Sequence, residues 1–522
     1  MSTLSALRLG IDVGGTNTDA VILDADGTVL AKTKQFTTHD VTGGMENALA
    51  AVLAESGVER ERITHVMLST THATNAVIER TRLNRVAVVR IGAPSTTAVR
   101  PLFAWPDDLR EVISAGEINV RGGIEFDGRE IVPLDGDAIA RFLEPLAGQI
   151  DGVAITSVFA SVSERHELAA AEIAREVLGE SVHISLSHEI GSIGLLEREN
   201  ATVLNSALVR VAAHVAGALD GALRAHGLNA ATFFAQNDGT LMALDYALRY
   251  PVLTIGSGPA NSIRGAAYLS KLTDAIVIDV GGTSSDVGVL VNGFPRESSA
   301  AGEIGGIKTN FRMPDLVAIA LGGGSILSGG GEQGVVVGPR SVGHELRQRA
   351  LIFGGEVPTL SDAAVLTGRA QFGATGPDKH HHQLLRAGIA QADLLLAEAI
   401  DMVKTAPGDA PLIVVGGGGV LVPDQLPGIS EIVRPENYDV ANAVGAAVAS
   451  VSAQVDRIFQ LGAGGRKAAL EEATEQAREQ AIKAGAKADT VEVVAIEEIP
   501  LTYMTTPAIR MRVKAAGALS VV

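Results

Sequence analysis

The 522-residue chain contains no cysteine. Disulfides, thiolate metal sites, a protein-ligated iron–sulfur cluster and a cysteine nucleophile are therefore excluded. Aromatic residues are scarce: 12 Phe, 5 Tyr and 1 Trp. That argues against the base-stacking platforms that single-stranded nucleic acid needs. Positive charge is in deficit, with 42 Lys and Arg against 60 Asp and Glu and a formal net charge of −18. Such a chain lacks a counterion-release term for nucleic acid and is repelled by anionic lipid. No charge-free apolar run reaches about 18 residues, so no segment is expected to span a membrane. Met1 to Leu9 has one Arg and lacks the apolar stretch of a signal peptide. A cytoplasmic setting is the expectation. Neither a Walker A loop nor a G-x-S-x-G elbow occurs.

Glycine is abundant, at 59 residues against a usual ~7%. Part of that excess belongs to a repeat. Residues 11–22 read IDVGGTNTDAVI and residues 278–289 read IDVGGTSSDVGV, with seven of twelve positions identical. Asp12 and Asp279 stand 267 residues apart, far beyond any solenoid period. Two large domains on one plan are implied. In each copy an apolar strand enters Gly-Gly-Thr, a second leaves, and a turn follows: Asp24 to Gly27 in the first, Asn292-Gly293 in the second.

The remaining pattern is α/β. Helices are expected at 45–53, 73–80, 137–146, 164–178, 195–225, 259–269, 384–403 and 442–455. Strands are expected at 64–69, 85–91, 152–158, 182–186, 232–236, 252–255 and 412–415. Residues 92–135 read as a polar, turn-rich stretch. The tail after 462–466 reads as a charged helix (467–486) and two strands (490–496, 508–513), a small α/β appendage. The domain expectation is 1–200, 201–455 and 456–522.

The repeated hairpin carries the chemistry. Gly14, Gly15, Gly281 and Gly282 let backbone N–H groups approach phosphate oxygens with no Cβ in the way. Thr16 and Thr283 add hydroxyls. Asp12 and Asp279, at strand ends, suit Mg²⁺ or its water ligands, or orientation of a nucleophile. Two such hairpins can clamp a polyphosphate from both sides. Gly416, Gly417, Gly418 and Gly419 follow a buried strand and would let a flat ligand lie on backbone. Gly256-Ser-Gly-Pro259 opens a helix whose N–H groups face either a ligand or a cap. Gly322 to Gly324 resembles a further anion loop, and Gly329 to Gly331 a flexible one. His380 to His382 reads as an exposed turn rather than a metal site. His72 and Asn75 sit at a strand-to-helix junction, as substrate contacts or as caps.

These residues resemble the superfamily of actin, heat-shock chaperone and sugar-kinase ATPases. Within it the chain is similar to the hydantoinase A / 5-oxoprolinase family. The resemblance covers about residues 7–450. It rests on Ile11 to Asp19, Ser69 to Arg80, Gly256 to Ser262, Asp279 to Asp286 and Leu321 to Ser325. It implies two RNase H-like domains around an interdomain cleft holding ATP, with Mg²⁺ near Asp12 and Asp279. Gly14, Gly15, Thr16, Asn17 and Asp19 would form the first phosphate loop, and Gly281, Gly282, Thr283 and Asp286 the second. Gly416 to Gly419 would form the adenosine loop. Asp12, Asp279, Thr16 and Thr283 would be the catalytic set.

The implied activity is ATP-dependent opening of a lactam or hydantoin. Phosphorylating a cyclic amide's oxygen makes its carbon open to water. A second, hydantoinase B-like subunit and an oligomer are also implied. The family's Asp-x-His-Thr stretch departs here, with Val317 and Ala318 in place of His and Thr. A small-metabolite kinase, a carboxylase-type subunit and a nucleotide-switch ATPase that remodels a partner are the rival readings.

Overall fold

A computed structural model describes residues 6–37, 41–191, 193–298, 302–311, 313–329, 334–374, 376–462, 464–501 and 507–520. The first glycine turn joins β1 (Leu7–Val13) to β2 (Asn17–Leu23), paired antiparallel. β3 (Val29–Phe36) returns beside β2, and β4 (Ile63–Thr70) runs parallel to β1. The chain then leaves this sheet. β5 (Val86–Ala93), β6 (Ser114–Arg121), β7 (Gly152–Ser157) and β8 (His183–Leu186) make a separate parallel sheet, ordered β6-β5-β7-β8. The 31-residue helix Leu195–Ala225 carries the chain back to β9 (Ala231–Ala235), parallel to β4, and β10 (Leu241–Ala243).

The second glycine turn joins β11 (Ala275–Val280) to β12 (Ser285–Val291). Asn292 and Gly293, both at positive φ (51° and 79°), turn the chain into β13 (Phe294–Pro295). That is the hairpin geometry their sequence favours. β14 (Gly302–Ile304) and β15 (Ile307–Thr309) form a ribbon. β16 (Leu316–Ile319) pairs with β12. β17 (Ser325–Gly329) and β18 (Val335–Ser341) form a second ribbon. β19 (Ala410–Val415), parallel to β11, and β20 (Ile429–Val433) complete the order β13-β12-β11-β19-β20. The first lobe has the matching order β3-β2-β1-β4-β9. Both are RNase H-like sheets, as the repeat implies. Their inner strands are almost wholly apolar because helices cover both faces.

The chain's division differs from the expected boundaries at 200 and 455. β9, β10 and β21 (Val451–Gln460) belong to the first sheet, which extends as β9-β10-β21-β23-β22. The tail is α/β, with the helix Gly465–Lys483, β22 (Glu492–Pro500) and β23 (Ala508–Gly517). It is fused to the first lobe: β23 pairs with β21 over ten residues. Ala469, Ala473, Ala477 and Ala481 share one core with Leu9 and Ile11. Spaced by four, these alanines let the helix lie close to the sheet.

Three local expectations are corrected. Residues 92–135 contain the helix Asp107–Ile113 and β6, an edge strand whose polar sequence hides it. Where a strand is expected at 252–255, Pro251–Thr254 form a short 3₁₀ helix. The helix expected at 442–455 stops at Val448, and pairing with β10 and β23 makes the rest β21. A run as uniformly small and apolar as Ala441 to Val451 carries no decisive period. The helix Leu195–Ala225 forms as expected. It is long and apolar enough to cross a membrane, but most of it is buried within the protein.

The chain passes from the first lobe to the second through the helix Ser257–Ser270 and returns through the helix Ala441–Val448. These cross in backbone contact. A Cβ on Gly265 would fall 1.9 Å from the Ala441 carbonyl oxygen, and one on Gly445 2.0 Å from that of Asn261. A Cβ on Gly10 of β1 would meet the Ala443 oxygen at 2.2 Å. Gly445→Val should therefore force the helices apart and destabilise the chain by at least ~1–3 kcal/mol. Gly217→Ala, at an open helical position, should be neutral or stabilising. Thermal unfolding of both variants checks this, and equal melting would contradict it.

Candidate functional site

The two glycine hairpins meet in a cleft of about 900 Å³ between the lobes. Register fixes the carboxylates: Asp12 stands opposite Asp19 on β1 and β2, and Asp279 opposite Asp286 on β11 and β12. The turns match. Gly14 N–H donates to the Asn17 carbonyl at 3.0 Å, and Gly281 N–H to that of Ser284 at 2.9 Å. Gly15-Thr16 and Gly282-Thr283 are left as the tips. The tips approach each other, with the Thr16 methyl 3.4 Å from where a Gly282 Cβ would sit.

Asp12, Gly14, Gly15, Thr16, Asn17, Asp19, Asp279, Gly281, Gly282, Thr283, Asp286, Gly416, Gly417 and Gly418 all line this cleft. Gly419 does not: it is buried, and its Cα faces the Tyr438 ring and Val414. Gly416 has φ +85°, and a Cβ there would fall 2.1 Å from Asp279 Oδ1. Only glycine allows the loop to pass so close.

The anion loop expected at Gly322 to Gly324 is a brace instead. Gly323 and Gly324 N–H groups donate to the Gly281 and Gly282 carbonyls at 3.0 and 2.7 Å, so they hold the second hairpin from behind. The Gly256 turn lies away from the cleft, its N–H donating to Thr74 Oγ1 at 3.2 Å. His72 Nδ1 pairs with Thr70 Oγ1 at 2.5 Å, and Asn75 Nδ2 donates to Thr71 Oγ1 at 3.5 Å, so both side chains are engaged locally at the helix start and neither lines the cleft. His380 and His381 sit ring against ring in a short 3₁₀ turn. Gly330 and Gly331 lie outside the described residues.

Four carboxylates thus share one cleft, Asp12 and Asp19 buried and Asp279 and Asp286 partly so. Burial raises the pKa of Asp12 and of Asp279. Asp19 is pushed up to about 7 by burial, even with the Lys34 ammonium 2.5 Å away. Asp286 also rises to about 7, through burial and then the charge of Asp279. One oxygen of Asp12, Oδ1, is buried without a hydrogen-bond partner. Among the described residues no three Asp, Glu or His side chains converge as an all-protein metal cage. That suits Mg²⁺, which usually keeps its waters and takes one or two carboxylates plus phosphate oxygens. Asp12 and Asp279 are the residues that fit it.

Several cleft residues escaped the sequence reading. Lys34 is one; its signal was present, since the Asp24–Gly27 turn sets a register that places Lys34 opposite Asp19. Asn442 donates to Asp12 Oδ2 at 3.3 Å, and Ser262 to Asp279 Oδ2. Arg347 lies over the Phe36 ring at 5.2 Å, and Phe353 and Phe372 stack at 6.4 Å along the same cleft. Ser262 ends the Gly256–Ser262 segment and is buried behind the cleft, but that segment assigns it no role, and no local motif marks the others.

Two RNase H-like lobes, each offering the same hairpin to a shared cleft, define the actin-like ATPase fold. The chain belongs to the hydantoinase/oxoprolinase family. The family's N-terminal region matches residues 8–178, and its hydantoinase/oxoprolinase region matches residues 198–391. The gamma subunit of acetophenone carboxylase from Aromatoleum aromaticum is 28% identical over 422 residues, covering 75% of this chain and 56% of that protein. The alpha subunit of caprolactamase from Pseudomonas jessenii is 28% identical over 392 residues, covering 70% and 55%. The chain spans little more than half the length of these curated relatives. The crystal structure of the ATP-dependent caprolactamase from P. jessenii superposes with a TM-score of 0.76 at 21% identity, covering 98% of this chain and 88% of that one.

The raised carboxylates give stability a definite pH sign. The folded chain keeps protons on Asp19 and Asp286 up to about pH 7, whereas the unfolded chain releases them near 3.8. Between those values the native state binds more protons, so stability falls as pH rises. Without metal or nucleotide, the melting temperature should drop between pH 5 and pH 8. Asp286→Asn should lessen that drop; a wild-type profile that rises, or a variant profile that is unchanged, would contradict the assignment.

Proposed function

We propose that this chain is the nucleotide-binding subunit of an ATP-dependent enzyme that activates a cyclic amide for ring opening. The observation that carries the reading is the pair of matched hairpins, with cross-strand carboxylates and open glycine tips, facing one cleft. The backbone N–H groups of Gly15, Thr16, Gly282 and Thr283, with the two threonine hydroxyls, would cradle the phosphates. Asp12 and Asp279 would hold Mg²⁺, which offsets phosphate charge when bound. In an acidic chain this local supply of N–H donors and a cation is what makes a polyanion acceptable. Thr16 and Thr283 would orient the transferring group, and Asp279 the reacting oxygen. The caprolactamase relative supports a lactam. Its amide oxygen would take the γ-phosphoryl group with ADP as the leaving group; water would add to the activated carbon, and loss of inorganic phosphate with cleavage of the ring C–N bond, the nitrogen taking a proton, would give the open-chain amino acid.

A second reading is favoured by one specific observation. The acetophenone carboxylase subunit is as similar as the caprolactamase subunit. On that reading the oxygen phosphorylated is that of an enolised ketone or of bicarbonate. Val317 and Ala318 bear on this choice, because Ala318 stands directly opposite Asp286 and offers no side-chain donor there. Both relatives are named as subunits, which supports a second, hydantoinase B-like chain as partner.

Phosphate release from Mg·ATP is the test, measured with lactams, hydantoins, and ketones plus bicarbonate, each with and without the candidate partner. A lactam or hydantoin should raise turnover, and Asp279→Ala should lower it by ~10²–10³-fold. Stimulation only by ketone with bicarbonate would replace the first reading with the second. No stimulation in any combination would remove both.

A further inference from the structure

The two central aspartates come from different lobes, yet a chain of side chains joins them behind the cleft. Asn442 Nδ2 donates to Asp12 Oδ2 at 3.3 Å. Ser262 Oγ contacts Asn442 Oδ1 and Asp279 Oδ2. Ser262 is 1% exposed and sits on the helix that enters the second lobe. Asn442 sits on the helix that returns to the first. Those are the helices whose glycines bring backbone to backbone at Gly265 and Gly445. The bridge therefore lies at the crossover itself, one residue wide on each side. It occupies one oxygen of each aspartate and leaves Asp12 Oδ1 unpartnered.

We propose that Ser262 and Asn442 are positioning residues that lock Asp12 and Asp279 at one separation across the hinge, tying the angle between the lobes to the geometry of the cation and phosphate site. This rests on the nucleotide-binding reading above. A lobe rotation that kept the bridge would carry both aspartates together. One that separated them would have to break it and leave buried carboxylate oxygens without a donor, which is costly. The bridge thus favours one lobe angle among those the hinge helices allow. Ser262 is buried behind the cleft and Asn442, at its wall, donates to Asp12; the role assigned to each is to orient its aspartate.

Ser262→Ala and Asn442→Ala should each lower kcat about 10–100-fold, the usual effect of losing a group that orients a metal ligand. The apparent affinity for Mg²⁺ should fall by a similar factor, while KM for ATP changes less than about threefold. Ser262→Thr, which keeps the hydroxyl, should restore most of the rate. Asn261→Ala is the control: its side chain is on the same helix, buried, and without a hydrogen-bond partner. It should leave kcat and Mg²⁺ affinity unchanged.

A second readout needs no turnover. Because the chain has no cysteine, Glu55→Cys and Glu398→Cys, exposed on different lobes, can be spin-labelled without side reactions. The interlobe distance distribution of the nucleotide-free chain should be narrow, and Asn442→Ala should broaden or shift it. If Ser262→Ala and Asn442→Ala behave like Asn261→Ala in kinetics and in distance, the bridge is overturned and the nucleotide reading stands. If the unsubstituted chain binds no Mg·ATP but Asn442→Ala still alters the lobe distance, the nucleotide reading fails and the bridge survives as a hinge lock alone.

Discussion

Four aspartates gathered at one cleft, two of them buried and two partly so, set the terms for the rest of the molecule. Like charges directly opposite on neighbouring strands oppose pairing, and this chain places two such pairs at one point. Lys34 is held against only Asp19, and the raised pKa values of all four carboxylates record what burial does to charge without a sufficient counterion. The strands that carry them must be secured by other means. β1, β2 and β11 are apolar almost throughout and covered on both faces, so the energy that holds the hairpins lies in the cores behind them. On the proposed reading, a divalent cation would offset the repulsion among these carboxylates.

The glycines that reach this region serve three physical purposes. Gly15 and Gly282 are tips, open to whatever enters. Gly322 to Gly324 let one loop lie under the second hairpin closely enough to donate to its carbonyls. Gly10, Gly265 and Gly445 remove the side chains that would hold β1 and the two crossover helices apart. The last group makes the lobes meet by backbone contact, which leaves little room for a gradual change in angle.

Much of this was legible in the sequence, and the reasons are local. The hairpins carry their own punctuation: an apolar run, Asp-x-Gly-Gly-Thr, a second apolar run, then Asp24 to Gly27 or Asn292-Gly293. The repeat itself announces two equivalent lobes. What escaped depends on distant pairing. β21 is a strand because β10 and β23 are there to pair with it, and nothing within Ala441 to Val455 says so. β6 is polar because one face lies at a sheet edge. The tail looked separate because its linker is glycine-rich, whereas its alanine stripe, read as a face, points to a close neighbour. Ser262 closes the Gly256–Ser262 segment, but nothing in that segment gives it a role, and Asn442 stands 180 residues away in no motif; only the crossing of two helices makes them partners.

The lobes are equal in their five-stranded centres and unequal in what is grafted on them. The first carries the parallel sheet β6-β5-β7-β8 and the tail, both remote from the hairpin tips. The second carries the ribbons and the segment 343–373, and it is this segment that brings Arg347, Phe353 and Phe372 to the cleft. The hairpins come from the repeat, so they are constrained to match. The walls come from the second lobe's additions, and they are free to differ. The position opposite Asp286 belongs to the same group, since β16 is an addition to the central order rather than part of it. Alanine there leaves Asp286 without a side-chain donor across the strand pair. Differences in what this family activates are therefore expected in β16 and residues 343–373 before they are expected in the hairpins.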